Sequence, residues 1–457
     1  MAGDGGGRGL NPPAPPALGE EVPMVRSFWH RRIGRRRFLA ESAAAGLLLS
    51  LPRGQTEAAP PPSILYHVMN IPSHPFTSPS HPNEHAGVNA LLELMGQHGD
   101  KLYRSESVGP LSGPWGFIAA DDVVVIKVNA QWKYRGCTNS DVIRGLIQKI
   151  LDHPDGFSGE VVIFGNGQGW GSLNCDSDPD GHYGDTTQHA NANDESHSFL
   201  YLVDTVFRDS RVTAFLMDPH VGTFIGLGDH TSHGFRIILD PSGRDTISYP
   251  CFTTAGGRRV ELKQGIWTGT AYSQNLKLIN VPVLKHHWGA KVTASLKHMY
   301  GILSMRDGNY FRRHFDDLGR QCGLMMATVK TPVLNIVDAI WVSHGSLFGY
   351  PPETTTRVNQ LLASQDPVAL DYWAAKYILY PIDKNPQHHP DFAGVDAWLT
   401  SARDLINARG GLWDPDNAIY QGNVTKNEKS MLVRTRNMAP FRPIAPVPSF
   451  LELLLHD

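Results

Sequence analysis

Cysteine is scarce: four residues in 457, at Cys137, Cys175, Cys251 and Cys322. No two form a CxxC pair, which excludes a cysteine-ligated iron–sulfur cluster of the usual spacing. One or two disulfides stay open, because widely spaced cysteines do not reveal their pairing. An excess of either charge is missing as well. The net charge is -3, and nothing in that balance asks for nucleic acid as a partner. Beyond the first segment no apolar run is long enough to cross a bilayer, so no stable span is expected in the mature chain. No serine elbow, HExxH helix or P-loop occurs. Gly165, Gly167, Gly169 and Gly171 alternate without the GxGxxG spacing, which removes a dinucleotide loop. What is plentiful is Gly (45) and Pro (33), which predict shaped loops, and Trp (10) and His (21), which suit flat or sugar-like ligands.

Residues 1–62 read as a leader outside the fold. The opening is Gly/Pro/Ala-rich with no core-forming pattern, and Met24 is an alternative initiator. Arg35 and Arg36, then Phe38 and Leu39, precede a modest apolar run from Ala43 to Leu51 and the small pair Ala58–Ala59. This arrangement resembles a twin-arginine export signal, with Gly34 and Ala40 departing from the usual residues. The resemblance implies export of the folded chain by the twin-arginine machinery, to a periplasmic or extracellular location.

From 63 to 446, ahead of a tail at 447–457, short β-branched runs alternate with helical spacing. The predicted class is α/β: a mixed, largely parallel sheet flanked by helices, with a loop-rich insertion around 170–270. Asp122–Asn129 is the clearest central strand, because Val123–Ile126 is unbroken and apolar. It ends in Lys127 and Asn129, at the end of a parallel strand where ligands bind. Thr138 or Asn139 then caps a helix from Ser140 to Leu151. In the insertion, Asp176, Asp178 and Asp180 alternate before Gly181, as a hard divalent cation such as calcium requires. Thr187 stands where a bidentate Glu belongs, so a solvated acidic loop is the competing reading.

The chain is organised around Asn280–Gly301, NVPVLKHHWGAKVTASLKHMYG. Lys285, His286, His287, Lys297 and His298 sit among Val, Leu, Ala and Met with no acidic residue in the stretch. Cations in apolar surroundings need a compensating charge. That compensation is a buried acid elsewhere in the fold, a bound anion or a metal-linked ligand. The spacing predicts a strand over 276–283 and a helix from Thr293 onward, with Thr293 and Lys297 on one face. Asp338, inside the strand LNIVDAIWV, is expected to pair with Lys285 or Lys297. Asp366 caps a helix that starts at Pro367. Asp371, amid apolar neighbours, has no such structural account.

Taken in order, these blocks resemble the family of the domain of unknown function 362. The blocks are Lys127 and Asn129 with Cys137–Thr138; Asn280, Pro282, Lys285, His287 and Lys297 to Gly301; Asp338; and Ser364, Asp366 to Ala369 with Asp371. Many relatives carry a ferredoxin-like cysteine region that this chain lacks. The family is in turn similar to the amino-terminal domain of lactate racemase, which holds a nickel pincer cofactor on a lysine. The resemblance implies that Lys285, His286, His287 and Lys297 carry chemistry. It also implies that Lys127, Asn129, Thr138, Asp338 and Asp371 hold a cofactor or substrate. Three functions fit these residues. One is an enzyme acting on a small or sugar-like anion by acid/base or divalent-metal-assisted chemistry. The others are a binding protein for an anion, metal or cofactor, and a structural or accessory protein.

Overall fold

The computed structural model describes residues 62–167, 171–178, 181–217, 234–239, 246–303, 318–408 and 424–438. The leader to residue 61, Gly169, Asp180 and the tail at 447–457 lie outside these residues. No helix among them is long and apolar enough to cross a membrane. Cys137, Cys175 and Cys322 are buried, Cys251 is half-buried, and all four are free thiols.

The chain folds as an α/β protein around a ten-stranded sheet. Its strands are β1 (Ser63–Met69), β2 (Val123–Val128), β3 (Glu160–Gly165), β4 (Val212–Leu216), β5 (Leu276–Val281), β6 (Val283–His287), β7 (Lys291–Thr293), β8 (Leu334–Ser343), β9 (Thr355–Ser364) and β10 (Met431–Asn437). The order is β10-β1-β9-β8-β5-β2-β3-β4, with β6 beside β8 and β7 beside β6. From β8 through β5, β2 and β3 to β4 every pair is parallel. β9 is antiparallel to both β8 and β1. Val212–Leu216 therefore belongs to the main sheet, although it lies inside the segment read as an insertion. The later part of that segment builds a separate five-stranded sheet from residues between 235 and 273.

Strand alternation sorts the side chains into two apolar layers. Val123 and Val125 of β2 face one layer, with Leu276 and Leu278 of β5. Val124, Ile126 and Val128 face the other, with Ile279 and Val281. Helices α1 (Ala86–Gln97) and α2 (Ser140–Leu151) cover the second layer. Helices α3 (Ser295–Met299), α4 (Leu318–Thr328), α5 (Pro367–Ala374) and α6 (Ala393–Ala408) cover the first.

Two local departures shape the site. Pro282 has no N–H to give the ladder, and β5 stops there. The chain restarts as β6, which runs beside the second half of β8 with an irregular register. Lys291–Thr293 is then a strand, so Thr293 ends a strand and does not open the helix expected from that residue. Thr293 lies opposite Lys285 in the β6–β7 pair, and α3 begins only at Ser295.

Candidate functional site: a lysine-lined cleft at the strand ends

At the C-terminal ends of β2 and β3 lies a cleft with about 600 Å3 of space continuous with solvent. Lys127, Lys285 and Lys297 line it with Asn129, Asn166, His287, Thr293, His298, Tyr300 and Gly301. Trp132 and Trp288 also contribute to the wall. Trp288 is 46 % exposed. No carboxylate lines the cleft among the described residues.

The foundation is a polar row across four strands of an otherwise apolar sheet. Lys127 pairs in register with Asn280, Asn280 with Asn335, and Asn335 with Ser364. Asn335 Nδ2 donates to the Ser364 carbonyl at 3.2 Å. Asn280 Nδ2 donates to Asn335 Oδ1 at 2.9 Å and to the Ser295 carbonyl at 3.0 Å. With its amide nitrogen so committed, Asn280 turns Oδ1 toward His298 Nδ1, 2.7 Å away. An amide oxygen only accepts, so His298 carries its proton on Nδ1 and leaves Nε2 as an acceptor. Lys127 Nζ donates to that Nε2 at 3.0 Å and to the Val128 carbonyl at 3.2 Å. Burial, followed by the neighbouring Lys127, holds the His298 pKa well below the usual imidazole value. The ring is neutral at physiological pH.

Helix α3 carries Lys297 and His298, yet its first turn has no side-chain cap of its own. The cap comes from α5. Asp371 accepts from the N–H of Ser295 at 2.6 Å and of Leu296 at 2.9 Å. Burial pushes the Asp371 carboxyl up to about 7, against the pull of those two N–H groups. Asp366 caps α5 in turn, accepting from Val368 and Ala369 at 2.9 Å each.

The three lysines differ in their surroundings. Lys285 Nζ donates to the carbonyls of Gly136 at 2.6 Å and Leu347 at 2.8 Å, tying two loops together. Those loops approach so closely that a Cβ on Gly136 would fall 2.2 Å from the Phe348 carbonyl oxygen. Lys297 has no hydrogen-bond or ion-pair partner among the described residues, and its ammonium lies 4.9 Å from the Tyr300 ring centroid. Burial lowers the Lys297 pKa to about 8. Burial, then the charge of Lys297, lowers Lys127 to about 7. Burial also brings Lys285 well below the ordinary lysine value. Two buried lysines elsewhere have acids beside them: Lys133 meets Asp185 at 2.9 Å and Lys277 meets Asp122 at 3.9 Å. In the cleft wall the Thr293 hydroxyl is also buried without a hydrogen-bond partner.

Several residues expected at the site serve elsewhere. Asp338 pairs with neither Lys285 nor Lys297. Its carboxylate accepts from the N–H of Asn139 at 2.8 Å and of Ile340 at 3.0 Å, and burial raises its pKa to about 7. The Thr138 hydroxyl accepts from the Asn129 N–H and donates to the Val281 carbonyl, each at 2.8 Å, bridging two strand ends. His286 alternates to the opposite face from Lys285 and His287. Its Nδ1 meets His388 Nε2 at 2.8 Å, and His388 Nδ1 meets Asp383 at 3.1 Å. His287 does line the cleft, and its Nδ1 accepts from the N–H of Gly289 and Ala290 at 3.1 Å each. In the acidic loop, Asp176 accepts from Asn174 at 2.7 Å and Asp178 from the Tyr183 N–H at 3.1 Å. No group of three His, Cys, Asp or Glu among the described residues has the geometry of a metal site. Asn166, Trp132 and Leu347 join the cleft without having been expected from the sequence. Asn166 directly follows β3, so the strand-end rule that picked out Lys127 also points to it.

No curated protein and no solved structure matches the chain. Residues 232–376 match the family model described as Domain of unknown function (DUF362). That span contains β5, β6, β7 and α3, hence Lys285, Lys297 and His298, so this part of the chain is similar to the DUF362 family.

Proposed function

We propose that the cleft binds a small anion bearing a carboxylate or phosphate and acts on it by acid/base chemistry. One observation carries this reading: three lysines line one cleft without a single carboxylate among its described lining residues. Their mutual repulsion is relieved when an anion enters, and an anion is the one ligand class for which this arrangement is favourable. Among the described residues the Lys297 ammonium and the Thr293 hydroxyl have no hydrogen-bond acceptor, so both are placed to hold the ligand. Lys127 and Lys297, with pKa values of about 7 and about 8, exchange protons readily near neutrality. The twin-arginine-like leader supports encounter with this anion outside the cytoplasm.

Isothermal calorimetry with oxalate and with inorganic phosphate tests the binding step. The wild-type chain is expected to bind at least one of them. Lys297→Met is expected to weaken that binding by at least ~10-fold, the worth of one charge-assisted hydrogen bond. A heat signal from neither anion, or unchanged affinity in a folded Lys297→Met protein, overturns the reading.

A further inference from the structure

We propose that Lys127 is a covalent nucleophile, and that the cleft's substrate is a 2-oxo acid which condenses with Lys127 Nζ to form an imine. This rests on the anion-site reading above, because the carboxylate of such a substrate needs Lys297 and Thr293 to hold it.

The geometry around Nζ is the starting point. A neutral amine has two N–H bonds and one lone pair in a tetrahedral arrangement. Here both N–H directions are assigned, one to the Val128 carbonyl at 3.2 Å and one to His298 Nε2 at 3.0 Å. The lone pair is then confined to the remaining direction, and the cleft is the open space Lys127 lines. His298 can only accept there, because Asn280 fixes its proton on the other nitrogen. A fixed acceptor keeps the amine from rotating its lone pair into the wall. A Cβ on Gly301 would sit 3.3 Å from Nζ, so glycine keeps one obstruction away from it. Lys285 is a poorer candidate. Its Nζ is held by the carbonyls of Gly136 and Leu347 at 2.6 and 2.8 Å. A desolvated lysine beside a second cation is the general arrangement that frees an amine for attack on a carbonyl, and the depressed pKa of Lys127 agrees with it.

The step balances without an oxidant or reductant. The Nζ lone pair forms the new C–N bond while the carbonyl π pair moves to oxygen. Lys297 supplies a proton to that oxygen, and His298 Nε2 takes one from nitrogen. His298 then returns its proton to the hydroxyl, the C–O bond breaks as water leaves, the nitrogen lone pair closes the C=N bond, and the iminium gives its N–H proton back to Lys297. Amine and ketone become imine and water.

The test is reductive trapping on the full chain. Pyruvate or 2-oxoglutarate is added with sodium cyanoborohydride, and the modified lysine is located by peptide mass mapping. The expected result is one reduced adduct, on Lys127, suppressed by excess oxalate and reduced at least tenfold in Lys127→Arg. Arginine keeps a positive charge and hydrogen-bond donors but forms no such adduct. If Lys127→Arg does not fold, the position of the wild-type adduct decides. Oxalate binding without any adduct overturns the imine and leaves the anion site standing. An adduct on another lysine also overturns it. Failure of trapping together with no binding of either oxalate or phosphate removes both readings.

Discussion

At the scale of single residues, a row of uncharged amides fixes the state of a histidine and, through it, the direction of a lysine. Removing Asn280 disturbs several buried groups together: the His298 Nδ1–H, the Ser295 carbonyl and Asn335 Oδ1 all lose a partner. Asn280→Ala is expected to cost about 3 kcal/mol in urea unfolding, from buried groups left unsatisfied. In the wild type, nitrogen NMR is expected to show His298 neutral and protonated at Nδ1 at pH 6; an imidazolium signal there would contradict the network. The residue scale is also where sequence reading divides most sharply. Lys127, Lys285, Lys297, Asn129 and His287 were legible as a group because charge among apolar neighbours is visible in one dimension, and the fold gathers them. Asp338 and Asp371 have the same one-dimensional signature, a lone acid in an apolar run. What satisfies each is a pair of backbone N–H groups, and for Asp371 that pair lies on a sequence-distant helix. Side-chain pattern alone cannot separate an acid that faces a ligand from one that caps an element.

At the scale of elements, the site depends on a five-residue helix held from outside. Without Asp371 the first turn of α3 has two N–H groups and no acceptor. Asp371→Asn keeps one oxygen but turns an amide NH2 against a donor. We expect a loss of about 1–3 kcal/mol, together with weaker oxalate binding by calorimetry, although Asp371 does not line the cleft. Unchanged affinity at reduced stability would show that α3 keeps its place without the cap. The boundary of α3 explains another misreading. TASLKHMYG carries helical spacing, but Lys291–Thr293 is drawn into a strand by pairing with β6. Tertiary pairing overrides local spacing there, so Thr293 reaches the cleft from a sheet and Lys297 from a helix. Period-two alternation does hold in β6. It sends Lys285 and His287 to the cleft and His286 to His388 and Asp383.

At the scale of the whole molecule, the central parallel strands were legible from their unbroken β-branched runs. β10 was not, since MLVRTRN reads as an exposed polar segment. The concentrated positive charge also has a global signature in pH. Lys127 and Lys297 have folded pKa values of about 7 and about 8, below the ordinary lysine value. Between about pH 7 and 10 the unfolded chain therefore binds more protons than the folded one, and stability from these two groups rises with pH. Thermal melts of the ligand-free protein are expected to show that rise. Oxalate affinity is expected to fall over the same range, as the cations it needs lose their protons. β1 adds a consequence of another kind. It is among the earliest strands to be synthesised, yet its two neighbours, β9 and β10, are the last two strands of the sheet. A growing chain therefore carries the apolar SILYHVM without its partners until almost the whole polypeptide has been made. In the finished protein the outer position passes to β10, where Arg434 and Arg436 discourage a further strand from adding. A chain terminated before Met431 would retain every cleft residue and lose that guard, so its defect would appear first as self-association.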